Sequence, residues 1–461
     1  MNYPIRLGYR VPTKDGDPLT YKKDGHLITV APTGTGKGRD VLVPALLEYE
    51  GSCIVIDPKG QLAAITRRQR ERMKQRVIVL NPFNILPEYV GATAQFNPLA
   101  ALDPSLDSFG SDCDNIADAI IVHDAGGRDS HWNESAHGLI SALIGYLAAN
   151  TRNDKVKNLA TVRQTLRKPS LLEAAAQTAQ LDQGGKDEMI AEALDGFRNM
   201  ATAPNNAELS GIVSTARTQT RFLGTKAIAE NVSGSDFRFR ELKDRPTTVY
   251  LSLPTRYLAT CSKWFRLVVA SALDDLLREE TGRYPVLMII DEFYQIGRLK
   301  VLQNAMSLAR GYSLQLWVIL QDLVQLQEHY DKSWETFLGN AGIRMFFAPR
   351  ENTTANYVSQ YCGKRTITTS SQSKSKSTNP GGSGSTTEGS SSNVAQTDVL
   401  LPQDVREIPD DQFLLFADRG SKAVIRGYRL PYMDIPEFKG KYSLDPYHLK
   451  QQGAAATGGQ K

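Results

Sequence analysis

The chain has 461 residues, 41% of them hydrophobic and 23% charged, with a formal net charge of +4. These values are those of a soluble globular protein with a sizeable core, and the length calls for two domains or three. Global charge of this size does not announce nucleic acid, although a local basic face is compatible with it, and the apolar runs fall far short of the ~18–20 residues of a membrane helix.

The opening segment is rich in turn residues and, with Asp15, Asp17, Lys22 and Lys23, carries no signal-peptide apolar region. His26–Val30 reads as a short buried strand running into Ala31–Gly38. A helix follows from Val41 to Leu47, with Pro44 in an early turn where proline is tolerated. Ser52–Ile56 is a second strand, Gln61 to Gln75 a helix and Arg76–Leu80 a third strand. Apolar strands alternating with helices argue for a parallel sheet covered on both faces.

The pattern then changes. From about Asp107 to Ala216 there is almost no strand signal, and Ala136, Leu139, Ile140, Leu143, Ile144 and Leu147 recur at helical spacing. Leu171–Ala179, with Ser170 as N-cap, and Met189–Met200 share that periodicity. The strand and helix alternation returns with Thr247–Ser252, Lys263–Arg278, Val286–Ile290, Leu299–Arg310, Leu314–Leu320, Ile343–Ala348 and Thr353–Cys362. A Ser/Thr/Gly/Lys tract from Ser370 to Asn393 has too few apolar residues to offset ordering entropy and reads as a disordered loop. Short strands follow at Phe413–Phe416 and Ala423–Arg426. The chain therefore divides into the first part of an α/β domain at 1–100, an all-α insertion at 101–218, the second part of the α/β domain at 219–440 with the disordered loop at 370–395, and a flexible tail at 441–461.

The strongest chemical signal is Ala31-Pro32-Thr33-Gly34-Thr35-Gly36-Lys37-Gly38. Between a strand and a helix, such a loop wraps phosphates in backbone N–H groups at a helix N-terminus, where the helix dipole also favours negative charge. Thr33, Gly34, Thr35, Gly36, Lys37 and Gly38 are the expected nucleotide cradle, with Lys37 as a point charge on the β- and γ-phosphates. Ala31 replaces the usual first glycine. Gly38 replaces the Ser or Thr whose hydroxyl binds Mg²⁺, so Thr35, Thr33 or a water must fill that role.

The second signal is the strand Val286–Ile290 ending in Asp291-Glu292. Asp291 is placed to hold Mg²⁺, and Glu292 to orient or deprotonate the attacking water. Gln321, at the end of Leu314–Leu320, either senses the γ-phosphate or simply ends a strand. Arg310 and Arg350 are candidates for an arginine acting on a neighbouring subunit's nucleotide. The basic run Arg67–Arg76 reads as a solvated helix face, and His131, Glu134 and His137 as core or surface residues rather than a zinc site. Cys53, Cys113, Cys261 and Cys362 are too far apart for a zinc or redox pair, which fits a reducing cytosolic compartment.

Several blocks share order and spacing with one family. They are His26–Gly38 with Val43–Leu47, Ile56-Asp57-Pro58-Lys59-Gly60, Asn81-Pro82-Phe83 with Phe96–Leu99, Ile290–Phe293, Ala309–Tyr312, Leu320–Leu323 and Leu400–Val405. In these the chain resembles the coupling-protein ATPases of type IV secretion and bacterial conjugation, from about residue 24 to 435. The resemblance implies a RecA-like P-loop NTPase domain with an inserted all-α domain, using ATP and Mg²⁺. It implies a homo-hexamer at the cytoplasmic face of the inner membrane. That ring would bring relaxase-bound single-stranded DNA, held without sequence preference, or effector proteins to the secretion channel. Family members usually carry transmembrane helices ahead of the P-loop. Here no span precedes Lys37, so the sequence is expected to be either a piece trimmed of those helices or a soluble member whose membrane contact is indirect. Two other readings remain: a cargo-recruiting module in which nucleotide controls assembly with little turnover, and a septal-type DNA translocase.

Overall fold

The computed structural model describes residues 3–12, 16–122, 130–151, 153, 155–168, 207–280, 282–378, 381–382, 384–417 and 424–448. The helices expected at Leu171–Ala179 and Met189–Met200 lie outside the described residues. The strands in chain order are β1 (Ile5–Tyr9), β2 (Pro18–Tyr21), β3 (His26–Val30), β4 (Ser52–Ile56), β5 (Arg76–Leu80), β6 (Thr247–Leu251), β7 (Val286–Ile290), β8 (Leu314–Leu320), β9 (Ala341–Phe346), β10 (Lys364–Thr378), β11 (Gly384–Asp398), β12 (Gln412–Ala417) and β13 (Ile425–Tyr428).

Eleven of them form one sheet in the order β2-β1-β13-β12-β9-β3-β8-β7-β4-β6-β5. The seven from β9 to β5 run parallel, and the other four are added antiparallel. The parallel strands are mostly apolar because both faces are covered. Alternate residues serve alternate faces: Ile28, Ile54, Ile56, Met288 and Ile290 enter one core, and Leu27, Cys53, Val55, Leu287 and Ile289 the other. The helices Val43–Glu48 and Gln61–Arg72 cover the second face.

Between β5 and β6 the described chain is helical and irregular, with Phe109–Ile120, Ser130–Asn150, Leu159–Arg167 and Ala207–Gln219 as its longer helices. Ala136, Leu139, Ile140, Leu143, Ile144 and Leu147 are all buried there. Their core is continuous with the first face of the sheet through the helix Leu258–Leu277.

Three differences from the sequence reading have physical causes. The opening segment contributes β1 and β2, and β1 is buried along its whole length. The Ser-rich tract is not irregular: β10 and β11 pair in register from Lys364↔Asp398 to Thr378↔Gly384. In such a hairpin alternate residues pair across the ladder and the remaining backbone groups face solvent, so it forms without a buried face and apolar content gives no sign of it. Finally, the basic run is not wholly solvated. Arg70 is fully buried, donating to the carbonyls of Leu46, Tyr49 and Gly51, to Thr248 Oγ1 and to Gln75 Oε1.

Candidate functional site

Parallel strands deliver their carboxyl ends to one edge of the sheet, and ligands of such sheets bind there. The loop Ala31–Gly38 leaves β3 at that edge and is tied to its neighbour by the Ala31 N–H donating to Leu320 O at 2.8 Å. Gly34 and Gly36 take φ values of 82° and 84°, a left-handed backbone that favours glycine. A Cβ on Gly36 would come within 2.6 Å of Asp40 Oδ2. The chain then enters a π-helical turn, Gly38–Leu42, with the Val43 N–H donating to Gly38 O. Pro44 has no N–H to give to the carbonyl four residues back, so the first turn closes more widely than an α-helix.

Lys37 Nζ lies 3.0 Å from Asp291 Oδ1, both side chains less than one-fifth exposed. Asp291 follows β7, which is separated from β3 only by β8, so two segments 254 positions apart in sequence meet at one point. Glu292 is next, with φ 74° and ψ 43°, a conformation that costs a non-glycine residue of order 1 kcal/mol. It turns the chain sharply so that Phe293 is buried against Tyr330 and Phe337. Gln321 ends β8 between the two, its N–H taken by Gln325 Oε1 at 3.0 Å.

The remaining candidates fall as follows. Thr33 and Gly34 are exposed at the loop tip. Thr35 Oγ1 donates to Pro32 O at 2.7 Å, leaving its lone pairs for a cation. A Cβ built on Gly38 meets nothing within 4 Å. Arg310 is not brought to this centre: it precedes β8, about 20 Å away at the opposite edge of the sheet. Its guanidinium donates to Asn340 O at 2.6 Å. Arg350 is exposed just beyond β9, on the P-loop edge. His131 meets Glu208, and His137 meets Asp118 and the carbonyl of Asp114; among the described residues no metal-ligating cluster forms.

Two participants went unnoticed in the sequence. Asp57, one residue beyond β4, neighbours Asp291 because Ile56 pairs with Ile290. Its carboxylate accepts the N–H groups of Gln61 (3.1 Å) and Ala63 (2.8 Å) at the start of their helix. Burial pushes this carboxyl up to about 7, with Asp291 adding to the rise and the backbone donors opposing it. The other is Arg429, just after β13 and 97% buried. Its guanidinium donates to the carbonyl of Thr35, lies 3.3 Å from Asp40 Oδ2 and sits 3.9 Å from the Phe347 ring centroid. Arg39 pairs with the same Asp40 at 2.5 Å. The P-loop is thus braced from behind by a residue 394 positions away. The block Asp57-Pro58-Lys59-Gly60 was a usable signal for Asp57; nothing local marks Arg429.

The residues present fit a nucleoside triphosphate with its divalent cation. Open space faces Gly34 and Gly38, Gly36 admits no side chain, and an ammonium and a carboxylate converge on the same point. Fold and site together define a P-loop nucleotide-binding protein of the RecA-like type with a helical insertion. Three relatives narrow this further. The conjugal transfer protein TraG of Escherichia coli is 27% identical over 373 residues, 77% of this chain and 58% of its own length. The type IV secretion system-coupling protein VirD4 of Bartonella quintana is 26% identical over 438 residues, 88% and 65% respectively. The plasmid coupling protein TrwB, solved in complex with ADP and Mg²⁺, superposes with a TM-score of 0.64 at 15% identity, covering 94% of this chain and 95% of that one. The chain belongs to the type IV secretory system conjugative DNA transfer family, matching it over residues 7–451. It spans 58% and 65% of the lengths of the TraG and VirD4 relatives above, and among its described residues no helix is long and apolar enough to cross a membrane.

Proposed function

We propose that this chain binds ATP with Mg²⁺ and hydrolyses it to drive DNA, carried as a relaxase-bound single strand, into a type IV secretion channel. The observation that carries the reading is the 3.0 Å approach of Lys37 to Asp291 across the strand ends of one sheet. Without nucleotide, the two neutralise each other. Phosphate draws Lys37 to itself and frees Asp291 to hold the cation, with Thr35 or water as the further ligand that Gly38 cannot supply. The cation offsets charge on the phosphate oxygens. Glu292, set by its left-handed backbone beside Asp291, orients and deprotonates the attacking water. Gln321 is positioned to contact the γ-phosphate. Relatives named as coupling proteins, and TrwB in complex with ADP and Mg²⁺, support the assignment.

The all-α unit is assigned to 101–218 and the α/β domain to the flanking segments. Work on DNA calls for a ring, a homo-hexamer at the cytoplasmic face of the inner membrane, reached through partner proteins. Arg310 or Arg350 acts there on the next subunit's nucleotide. The test is the ATPase rate with and without single-stranded DNA across a protein concentration series. Turnover is expected to rise with both, and to fall at least ~100-fold in Lys37→Ala and Glu292→Gln. Wild-type turnover no greater than that of Lys37→Ala sinks the reading. A second reading, a cargo-recruiting module assembled by nucleotide, is favoured by the missing hydroxyl at Gly38. Nucleotide binding and self-association without turnover select it.

A further inference from the structure

Two helices of the helical unit, Leu159–Arg167 and Ala207–Gln219, lie against each other and bring four arginines together. Arg163 Nη1 donates to Arg217 O (2.5 Å) and to Thr220 Oγ1 (3.1 Å), and Arg217 Nε donates to Leu166 O (2.7 Å). Each thus satisfies a carbonyl in the other helix's last turn, where a cation also meets the negative end of the dipole. That structural work accounts for Arg163 and Arg217. It does not account for Arg167, one turn beyond Arg163 on the same helix face, or for Arg221 in the next turn of chain. Both are exposed.

Burial depresses the Arg163 guanidinium, and among the described residues the charges acting on it are positive: Arg167, Arg217 and Arg221. The Arg163 Nε–H has no acceptor among the described residues. Gly224, exposed beside it, carries no side chain to cover that N–H, since a Cβ there would stand 3.9 Å from Nε. Like charges gathered in this way repel one another in the free protein, and a polyanion relieves the repulsion. Guanidinium forks also match phosphate oxygens in geometry as well as charge.

We propose that the face formed by Arg163, Arg167, Arg217 and Arg221 holds the phosphodiester backbone of single-stranded DNA, by charge and without reading sequence. This rests on the function proposed above and locates its DNA contact on the helical unit. The ATP site lies elsewhere, so the contact and the chemistry are separable.

The experiment removes only the two exposed arginines, leaving the helix ties of Arg163 and Arg217 in place. Binding of a labelled oligothymidine to the full chain is measured by anisotropy from 50 to 300 mM salt. The proteins are the wild type, Arg167→Gln/Arg221→Gln, and a charge-matched control, Arg68→Gln/Lys74→Gln, on the exposed side of the helix Gln61–Arg72 and the turn after it. Losing two phosphate contacts lowers the slope of log affinity against log salt by about 1.4 and affinity at 0.1 M salt by about 25-fold. The control is expected to keep the wild-type slope, and all three proteins the same DNA-free ATPase rate. Equal losses in both doubles, or a wild-type slope in Arg167→Gln/Arg221→Gln, overturn the inference. So does a loss of self-association with DNA binding intact, which makes the face a subunit contact. A wild type that binds no DNA overturns the proposed function first and this inference with it.

Discussion

Replacing Arg429 with methionine keeps most of the side-chain volume and removes the charge behind the P-loop. Three contacts go: the donation to Thr35 O, the pairing with Asp40 and the cation over Phe347. A hydrogen bond from a charged donor contributes about 1.5–3 kcal/mol and a desolvated cation–π contact about 0.5–2 kcal/mol. Leaving a buried carboxylate bare costs a further 3–5 kcal/mol or so, but Asp40 keeps Arg39 at 2.5 Å and most of that cost is avoided. The loop therefore gives up about 2–4 kcal/mol of local order. If half of it must be restored on binding, nucleotide affinity falls about 5- to 30-fold. Arg429→Lys keeps the charge but not the fork or the stack, and should fall between. The assay is titration of a fluorescent nucleotide analogue, paired with thermal melts with and without ADP. A cooperative melt in the variant confirms that it folds. Wild-type affinity and a wild-type ADP-induced rise in Tm in Arg429→Met would refute the bracing role.

Three further tests address other parts of the molecule. Gly38→Thr has open space for its side chain and supplies the absent hydroxyl, so less Mg²⁺ should support half-maximal turnover, with Tm within a few degrees of wild type; an unchanged Mg²⁺ titration counts against it. Two buried groups pull stability in opposite directions with pH. Asp57, at about 7 in the fold, holds more protons than the unfolded chain between about pH 4 and 7, so its term falls as pH rises through that window. His26 is lowered to about 4 by burial and by Arg310, and its Nδ1 accepts the Leu316 N–H at 3.0 Å. The fold therefore holds fewer protons than the unfolded chain between about pH 4 and 6.5, and this term is lost as pH falls. The two slopes offset each other, so urea unfolding of Asp57→Asn should show stability rising with pH over that range, and His26→Asn the reverse; parallel profiles for both contradict the assignment. Arg70→Met strips donors from three buried carbonyls and should cost at least ~3 kcal/mol in the same unfolding assay, whereas a loss below ~1 kcal/mol shows those carbonyls satisfied otherwise.

Most of the sheet was legible because parallel strands buried on both faces are continuous apolar runs, and β3, β4, β5, β7 and β8 begin and end where their residues predict. The P-loop and Asp291-Glu292 were legible for a related reason: each follows directly from such a strand, so local order carried the chemistry. Edge elements were harder. β1 interrupts its apolar residues with Arg6 and Gly8, and β10 and β11 have no apolar pattern at all. Arg70 is not told apart from the other five basic residues between Arg67 and Arg76 until the fold buries it among the carbonyls of Leu46, Tyr49 and Gly51.

By itself, then, the sequence located the central parallel strands, the phosphate loop and an acidic pair at the end of a neighbouring strand, since those depend on periodicity and on short contiguous motifs, whereas the edge strands and the β10–β11 hairpin carry no such signal. Only the tertiary structure decided that Lys37 meets Asp291 at 3.0 Å, that Arg310 stands at the far edge of the sheet, that Arg429 braces the loop from 394 residues away and that four arginines share one face of the helical unit. Strand order and helix packing create those neighbours, and residues brought together from distant parts of a chain leave no local trace of their meeting.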